Sequence, residues 1–436
     1  MKLFSSTRKP RIAARERREA APAVVAGDAQ TFAAFGLSPS LVRALAQLRI
    51  TTPTPVQREC IPQLLAYRPV LGGSATGSGK TLAFALPILH NLLRDPYTCY
   101  AVVVTPTHEL AVQIVDQFEA VGSQNGVLVA QVVGGMNETA MMRALDHQPH
   151  VLVVTPKRFV DALAHLPFSL DQTRYVVFDE ADVLFDPATN MLADVRAIEA
   201  RLPATAVKAY FTATASRLLA LLPPAEVPTA RCCVGEDVRA NPECAQRYVF
   251  APQNMKHVYV AVLVRTRPAI VFCSSILRAE VIHRMLRSLD VPATALHSAL
   301  PYRLRLANLR AFRSGEAPVL VATDVAARGL DIPAVPLVVN YDVPAAPATY
   351  VHRVGRTARA GRSGRAVTLV DDRSVAAFKA IEAALGARLE EEPVEERRVL
   401  DTVQRATAAK EVAFLSLRES KIYKRVQLDR RRRGGE

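Results

Sequence analysis

Short β-branched apolar runs alternate with amphipathic stretches along most of this chain. The first half holds YAVVVTPT (100–107), VAQVVGG (129–135), HVLVVTP (150–156), RYVVFDEAD (174–182) and VKAYFTAT (207–214). The second holds PAIVFCSS (268–275), ATALHS (293–298), PVLVATD (318–324), LVVNYDVP (337–344) and GRAVTLV (364–370). Between them lie segments with helical spacing, such as THELAVQIVDQFEAVG and ILRAEVIHRMLRSL. Continuous apolar strands need cover on both faces, so the alternation predicts an α/β protein with parallel sheets flanked by helices. The pattern lapses between about 222 and 245, where prolines and charges gather. Two domains are therefore expected, at 31–230 and 246–390, joined by a linker at 231–245. Residues 1–30 read as a disordered basic tail, and 391–436 as a helix followed by a disordered basic tail.

Composition narrows the class. Half of the 436 residues are hydrophobic and tryptophan is absent, so the interiors are mostly aliphatic. No apolar run approaches the ~20 residues of a membrane span. The N-terminus, MKLFSSTRKPRIAARERR, has no apolar stretch of a secretory leader. Its arginines and serine pair suit a mitochondrial presequence, against which Glu16 and Glu19 count. The six cysteines form no C-x-x-C pair, which fits reduced intracellular thiols and excludes a zinc site or a disulfide framework. The net charge of +14 is concentrated at the ends. Residues 1–19 carry seven basic and two acidic side chains, and residues 416–436 carry eight and three. Solvated tails would account for this; polybasic arms that touch phosphates or act as a nuclear address account for it better.

Ligand residues of open α/β sheets gather at the carboxyl ends of strands. Here those ends carry TPT, GG, TP, DEAD and TAT, then SS, HS, TD and YD. That is more polar chemistry than turns require. The stretch GGSATGSGKT (72–81) follows the phosphate-loop template except that Ser74 stands where the template has glycine. What the loop needs is close backbone approach, inward N–H groups and a helix N-terminus behind them. Gly77, Ser78 and Gly79 supply the first two, and TLAFALPILHNLL the third. Lys80 would then meet the β- and γ-phosphates, and Thr81 would hold Mg²⁺. Further on, RYVVFDEAD ends a buried strand on adjacent carboxylates, a costly pairing unless a cation or water sits between them. Asp179 fits the Mg²⁺-binding acid, acting largely through water, and Glu180 the group that orients and deprotonates the attacking water.

Asp179-Glu180-Ala181-Asp182 is the name-giving motif of the DEAD-box RNA helicases, and over Phe32 to Val370 the chain resembles that family in motif order and spacing. The family's phosphate loop, A-x-T-G-x-G-K-T, takes a small residue at the place of Ser74 and covers Ala75 and Thr76 as well. The resemblance implies two tandem RecA-like domains, ATP and Mg²⁺ as cofactors, and RNA as partner. It implies that Phe32 stacks near the adenine and that Gln57 of TPTPVQ bonds it. It assigns the RNA track to Thr105, Pro106, Thr107, Gly135, Thr155 and Arg158 in the first domain, and to Arg305, Thr323, Arg328 and Gly329 in the second. Asp182, Thr212 and Thr214 would couple ATP state to RNA grip. From HRVGRTAR it takes Arg356 and Arg359 as arginine fingers and His352 as their link to the DEAD and TAT motifs, with Asp331 at the ribose or finger network. ATP would sit between domains, neither complete alone.

Four departures lie on the RNA side: His108 for arginine, Lys157 for glycine, Ser298 for glycine and Tyr302 for glutamine. Connecting phrases such as PTPVQRECIP, VVGGMN and PHVLVVTP resemble the nucleolar subgroup that assists small-subunit rRNA processing, implying a monomer that acts on pre-rRNA with ribosome-assembly proteins. A general mRNA-remodelling helicase is the runner-up. A non-catalytic RNA clamp would lack Lys80, Glu180 or the fingers, and a DNA translocase would show a DNA-reading insertion; neither pattern is seen.

Overall fold

A computed structural model describes residues 31–74, 77–233, 244–265, 268–324, 334–358 and 363–433. Its two parallel sheets are flanked by helices. The first contains β1 (Val70–Gly73), β2 (Ala101–Val104), β3 (Val129–Val132), β4 (Val151–Val154), β5 (Tyr175–Asp179), β6 (Val207–Thr212) and β7 (Ala230–Cys233), in the order β3-β4-β2-β5-β6-β1-β7. The second contains β8 (Cys244–Phe250), β9 (Ala269–Cys273), β10 (Ala293–Leu296), β11 (Val319–Thr323), β12 (Leu337–Asn340), β13 (Gly364–Val370) and β14 (Glu390–Glu391), in the order β10-β11-β9-β12-β13-β8-β14. Central strands are buried on both faces, which is why they read as unbroken apolar runs. Two separate sheets, each with its own core, are the tandem RecA-like arrangement.

Each first-lobe face has its own aromatic packing. Phe84 lies 5.1 Å from Phe211 on one side, and Phe178 stacks at 5.3 Å on Tyr210 on the other. In the second lobe one core joins Val258 and Ile282 to Val399, Ala406, Ala409 and Ala413. The helix Glu396–Arg418 therefore belongs to that lobe's core, not to an appendage after 390. The structure departs from expectation at two further places. The first sheet runs on to Cys233, past the expected boundary at 230, because β7 pairs with β1 in parallel. The basic stretch expected to be disordered forms a second helix, Lys421–Arg433, anchored by buried Val426. Residues 1–30 lie outside the described residues.

Candidate active site

β1 ends at Gly73, and the helix Lys80–Arg94 begins directly after Gly79. Gly77 and Gly79 have φ of +82° and +88°, a region only glycine enters without strain. A Cβ at Gly79 would also collide with the Gln57 amide. Ser74 has its own task here. Its Oγ shares a 2.6 Å hydrogen bond with Ser78 Oγ, its N–H donates to Thr212 O at 3.1 Å, and its carbonyl accepts from Lys80 Nζ at 2.6 Å. Only the Oγ bond to Ser78 depends on the side chain; the other two contacts are made by the backbone. Gln57 sits in a capping box at the start of Pro55–Leu65: Oε1 accepts from Thr54 N–H at 2.9 Å, and Nε2 donates to Gly79 O at 2.9 Å. An amide has two further hydrogen-bond positions, so a base edge remains within its capacity.

Facing the loop, β5 delivers Asp179, with Glu180 following in the left-handed region at φ +52°. Lys80, Asp179, Glu180 and Asp182 are all buried. Burial raises the affinity of both Asp179 and Glu180 for a proton, against the pull of Lys80, and burial lowers that of Lys80, against the three carboxylates. The Asp182 carboxylate is fully engaged: Oδ1 accepts from Thr212 Oγ1 at 2.7 Å and Oδ2 from Thr214 Oγ1 at 2.8 Å. DEAD and TAT are one hydrogen-bonded unit.

The second lobe reaches this cluster through Arg356, which is 1% exposed and close enough to act electrostatically on Glu180 and Lys80. It follows the helix Pro347–Val354, which carries buried His352 and Arg353. Arg353 is structural. It grips Asp324 with two bonds of 2.5 and 2.8 Å, donates to Asp342 O at 2.7 Å and to Asn340 Oδ1 at 3.2 Å, and lies over Phe272. Only the pairing across the second sheet shows this, since in sequence it is one of three similar arginines.

The site fits a nucleotide. Glu180 Oε2 is buried with no hydrogen-bond partner among the described residues, beside a glycine loop closed to side chains. Thr81 opens the helix behind that loop and Asp179 faces it from β5. No set of three His, Cys, Asp or Glu among the described residues would hold a metal alone, so Mg²⁺ here would draw its remaining ligands from phosphate and water. Phe32 differs from expectation: it is 3% exposed, packed edge-on to Phe35 at 6.2 Å in the first core, and offers no face to a base. Ala75, Thr76, Arg328, Gly329, Asp331 and Arg359 lie outside the described residues.

The strand-end residues of the other flank divide in the same way. Thr107 caps the helix His108–Gly122, accepting from Leu110 N–H at 3.4 Å, with Pro106 before it. Gly135 has φ +76°, its neighbour Gly134 donates to Thr155 Oγ1 at 3.3 Å, and Arg158 donates to Met136 O at 3.4 Å. Thr323 ends β11. Thr105 is wholly buried at the end of β2. Arg305 reaches across to the first lobe's PTHEL motif. It pairs with Glu109 Oε1 of the first lobe at 3.0 Å and lies 3.3 Å from His108 Nδ1, forming a bridge between lobes. Burial, and then Arg305, push the His108 imidazole down to about 4. Glu109 stands in the PTHEL motif, but its partner is 196 positions away and nothing in local spacing points to it.

This pair of RecA-like lobes, with a phosphate loop and a carboxylate strand end on one and arginines on the other, defines a nucleotide-driven motor protein. The DEAD/DEAH box helicase model matches residues 54–221, and the helicase conserved C-terminal domain matches 254–361. The chain belongs to the DEAD-box helicase family. It is 42% identical over 400 residues to the ATP-dependent RNA helicase dbp8 of Aspergillus oryzae, covering 87% of this chain and 90% of that one. It is 40% identical over 420 residues to DBP8 of Phaeosphaeria nodorum, covering 90% and 82%. Among solved structures it resembles S. cerevisiae Dbp5 bound to RNA and ADP BeF3, with TM-score 0.74, 28% identity and 88% and 100% coverage.

Proposed function

We propose that the protein is an RNA-dependent ATPase whose two lobes close over ATP and a sugar–phosphate strand, and that closure drives local remodelling of RNA duplexes or ribonucleoprotein. The carrying observation is the buried Glu180 carboxylate, whose Oε2 has no hydrogen-bond partner among the described residues, set among Lys80, Asp179 and the opposite lobe's Arg356. In this reading the loop 74–79 and Lys80 hold the phosphates, and Gln57 reads the adenine. Thr81 and Asp179 would hold Mg²⁺, which neutralises phosphate charge when bound. Glu180, kept receptive to a proton by burial, takes one from the attacking water. Arg356 and Arg359 balance the charge that develops on the transferring phosphoryl group. Asp182 passes the nucleotide state to Thr212 and Thr214, and His352 supports the arginines. Pro106, Thr107, Gly135, Thr155, Arg158, Thr323, Arg328 and Gly329 track the backbone, which positions RNA without reading sequence.

The dbp8 relatives, with the connecting phrases of the chain, support a monomer acting on small-subunit pre-rRNA in the nucleolus, beside ribosome-assembly proteins. The test is Glu180→Gln. ATP turnover should collapse while ATP-dependent RNA retention persists, and crosslinking of that form in cells should recover pre-rRNA. Unchanged turnover, or recovery of messenger RNA alone, would contradict the respective part.

A further inference from the structure

The helix Lys421–Arg433 has seven basic residues and one acidic residue, Asp429. Some surface cations elsewhere are matched: Arg196 bridges Glu199 and Glu226, Lys208 meets Glu199, and Arg217 meets Asp186. In the basic helix the exposed Lys421, Lys424 and Arg425 make no ion pair among the described residues. Like charges at helical spacing repel, so this helix forms against its own charge and gains most from a polyanion.

Its position is specified. Leu417 and Val426 are buried where the chain turns at Ser420, whose Oγ accepts from Tyr423 N–H at 3.3 Å. Ser416, just before the turn, accepts from Arg284 at 2.7 Å, and Arg284 in turn bonds the Glu280 carboxylate that holds His297 at 2.8 Å. Arg425 Nη1 donates to Ala299 O at 3.4 Å. His297 and Ala299 belong to LHSALPYRLR, which runs from the end of β10 into the helix Tyr302–Arg313, and β10 is an edge strand of the second sheet. The basic helix is thereby fastened to the outer edge of the lobe, next to a motif of the RNA track and to exposed Arg303.

We propose that this helix is a second RNA-binding surface, which holds the phosphate backbone of RNA leaving the cleft over the β10 edge. The proposal rests on the functional reading above and deepens it: the cleft grips a short strand, and the helix grips the flank on one side only. Because the helix is docked rather than free, its contribution has a direction along the strand.

The test uses the full chain with Lys421→Gln and Lys424→Gln together, two exposed side chains away from the docking contacts. Binding is measured to an oligonucleotide that fills only the cleft, and to versions lengthened at the 5′ end or at the 3′ end. The double variant should lose about tenfold in affinity for one lengthened form at low salt, with its log–log salt slope reduced by about 1.4. Affinity for the short oligonucleotide, and ATP turnover at saturating RNA, should stay within about twofold. Equal losses on both flanks would replace the docked surface by a loose tether and overturn the proposal, as would loss on the short oligonucleotide or no loss at all. Val426→Asp, which undocks the helix while keeping every cation, should erase the directional advantage; retention of it counts against the proposal. Failure of the unmodified protein to bind any of these RNAs would instead remove the functional reading itself.

Discussion

The two flanks of the interlobe cleft are wired differently. On the nucleotide side the polar groups are satisfied largely within one lobe: Ser74 with Ser78 and Thr212, Asp182 with Thr212 and Thr214, Lys80 with Ser74. On the other side the pairing crosses the gap, from Arg305 to Glu109 and His108. A unit satisfied within one lobe keeps its shape whether or not the lobes meet. A unit satisfied across the gap exists only on closure. The first lobe can thus be preset for phosphate, while the strand side is completed by motion.

The sharpest break of this contrast is Glu180→Gln, which should lower ATP turnover about 10²- to 10⁴-fold, as loss of a general base does. Folding should be untouched, and a phosphate-release assay beside a melting curve reads both. Next comes Arg353→Ala, which strands Asp324 and Asn340 inside the second lobe. Losing charge-assisted hydrogen bonds at this partly buried pair costs about 1.5–3 kcal/mol. Denaturant unfolding should show the loss in the second lobe, leaving the first lobe's transition in place. Thr212→Val keeps shape but removes a hydrogen bond to a buried carboxylate, worth about 1.5–3 kcal/mol. It should uncouple strand separation from ATP turnover, so that unwinding falls further than hydrolysis; equal falls would break the coupling assignment.

The smallest effect concerns the bridge. His108 is held neutral in the closed structure, its proton affinity lowered to about 4 by burial and by Arg305. A separated or unfolded imidazole titrates near 6.5. Protonation therefore favours the apart state, and closure should weaken as pH falls from about 6.5 toward 4, with full strength above that window. His108→Arg places a permanent charge beside Arg305, so it should weaken RNA-free closure most above about pH 6.5, where the parent imidazole is neutral, and remove the pH step. Interlobe fluorescence transfer across the series checks both; an unchanged step would show that Glu109, not His108, carries it.

Much of this organisation could be read from the chain itself, and the failures share a cause. All ten apolar runs are strands; most are buried on both faces, which writes an unbroken signal, and only β3 alternates. β1 leaves no such signal because VLGG is short and half glycine, β7 because prolines surround it, β8 because its face is half exposed, and β14 because it is two glutamates. The phosphate loop and the carboxylate strand end were legible since their chemistry is contiguous. What was not legible is partnership over distance. Nothing local says that Arg305 pairs with the other lobe, that Arg353 rather than its neighbours locks Asp324, or that Phe32 packs inward. The basic tail reads as disordered because a charge run signals disorder unless apolar anchors hold it, and Leu417 with Val426 are only two such anchors.

Gln57 carries one last lesson. Its amide props the backbone of Gly79, the very place where no other side chain fits. If the same group also recognises the base, then the two ends of a nucleotide are felt by a single lever. A purine with the wrong edge would tilt the amide, and the phosphate seat would lose its support before any bond was cut. Choice of fuel and readiness to burn it would then be the same mechanical event.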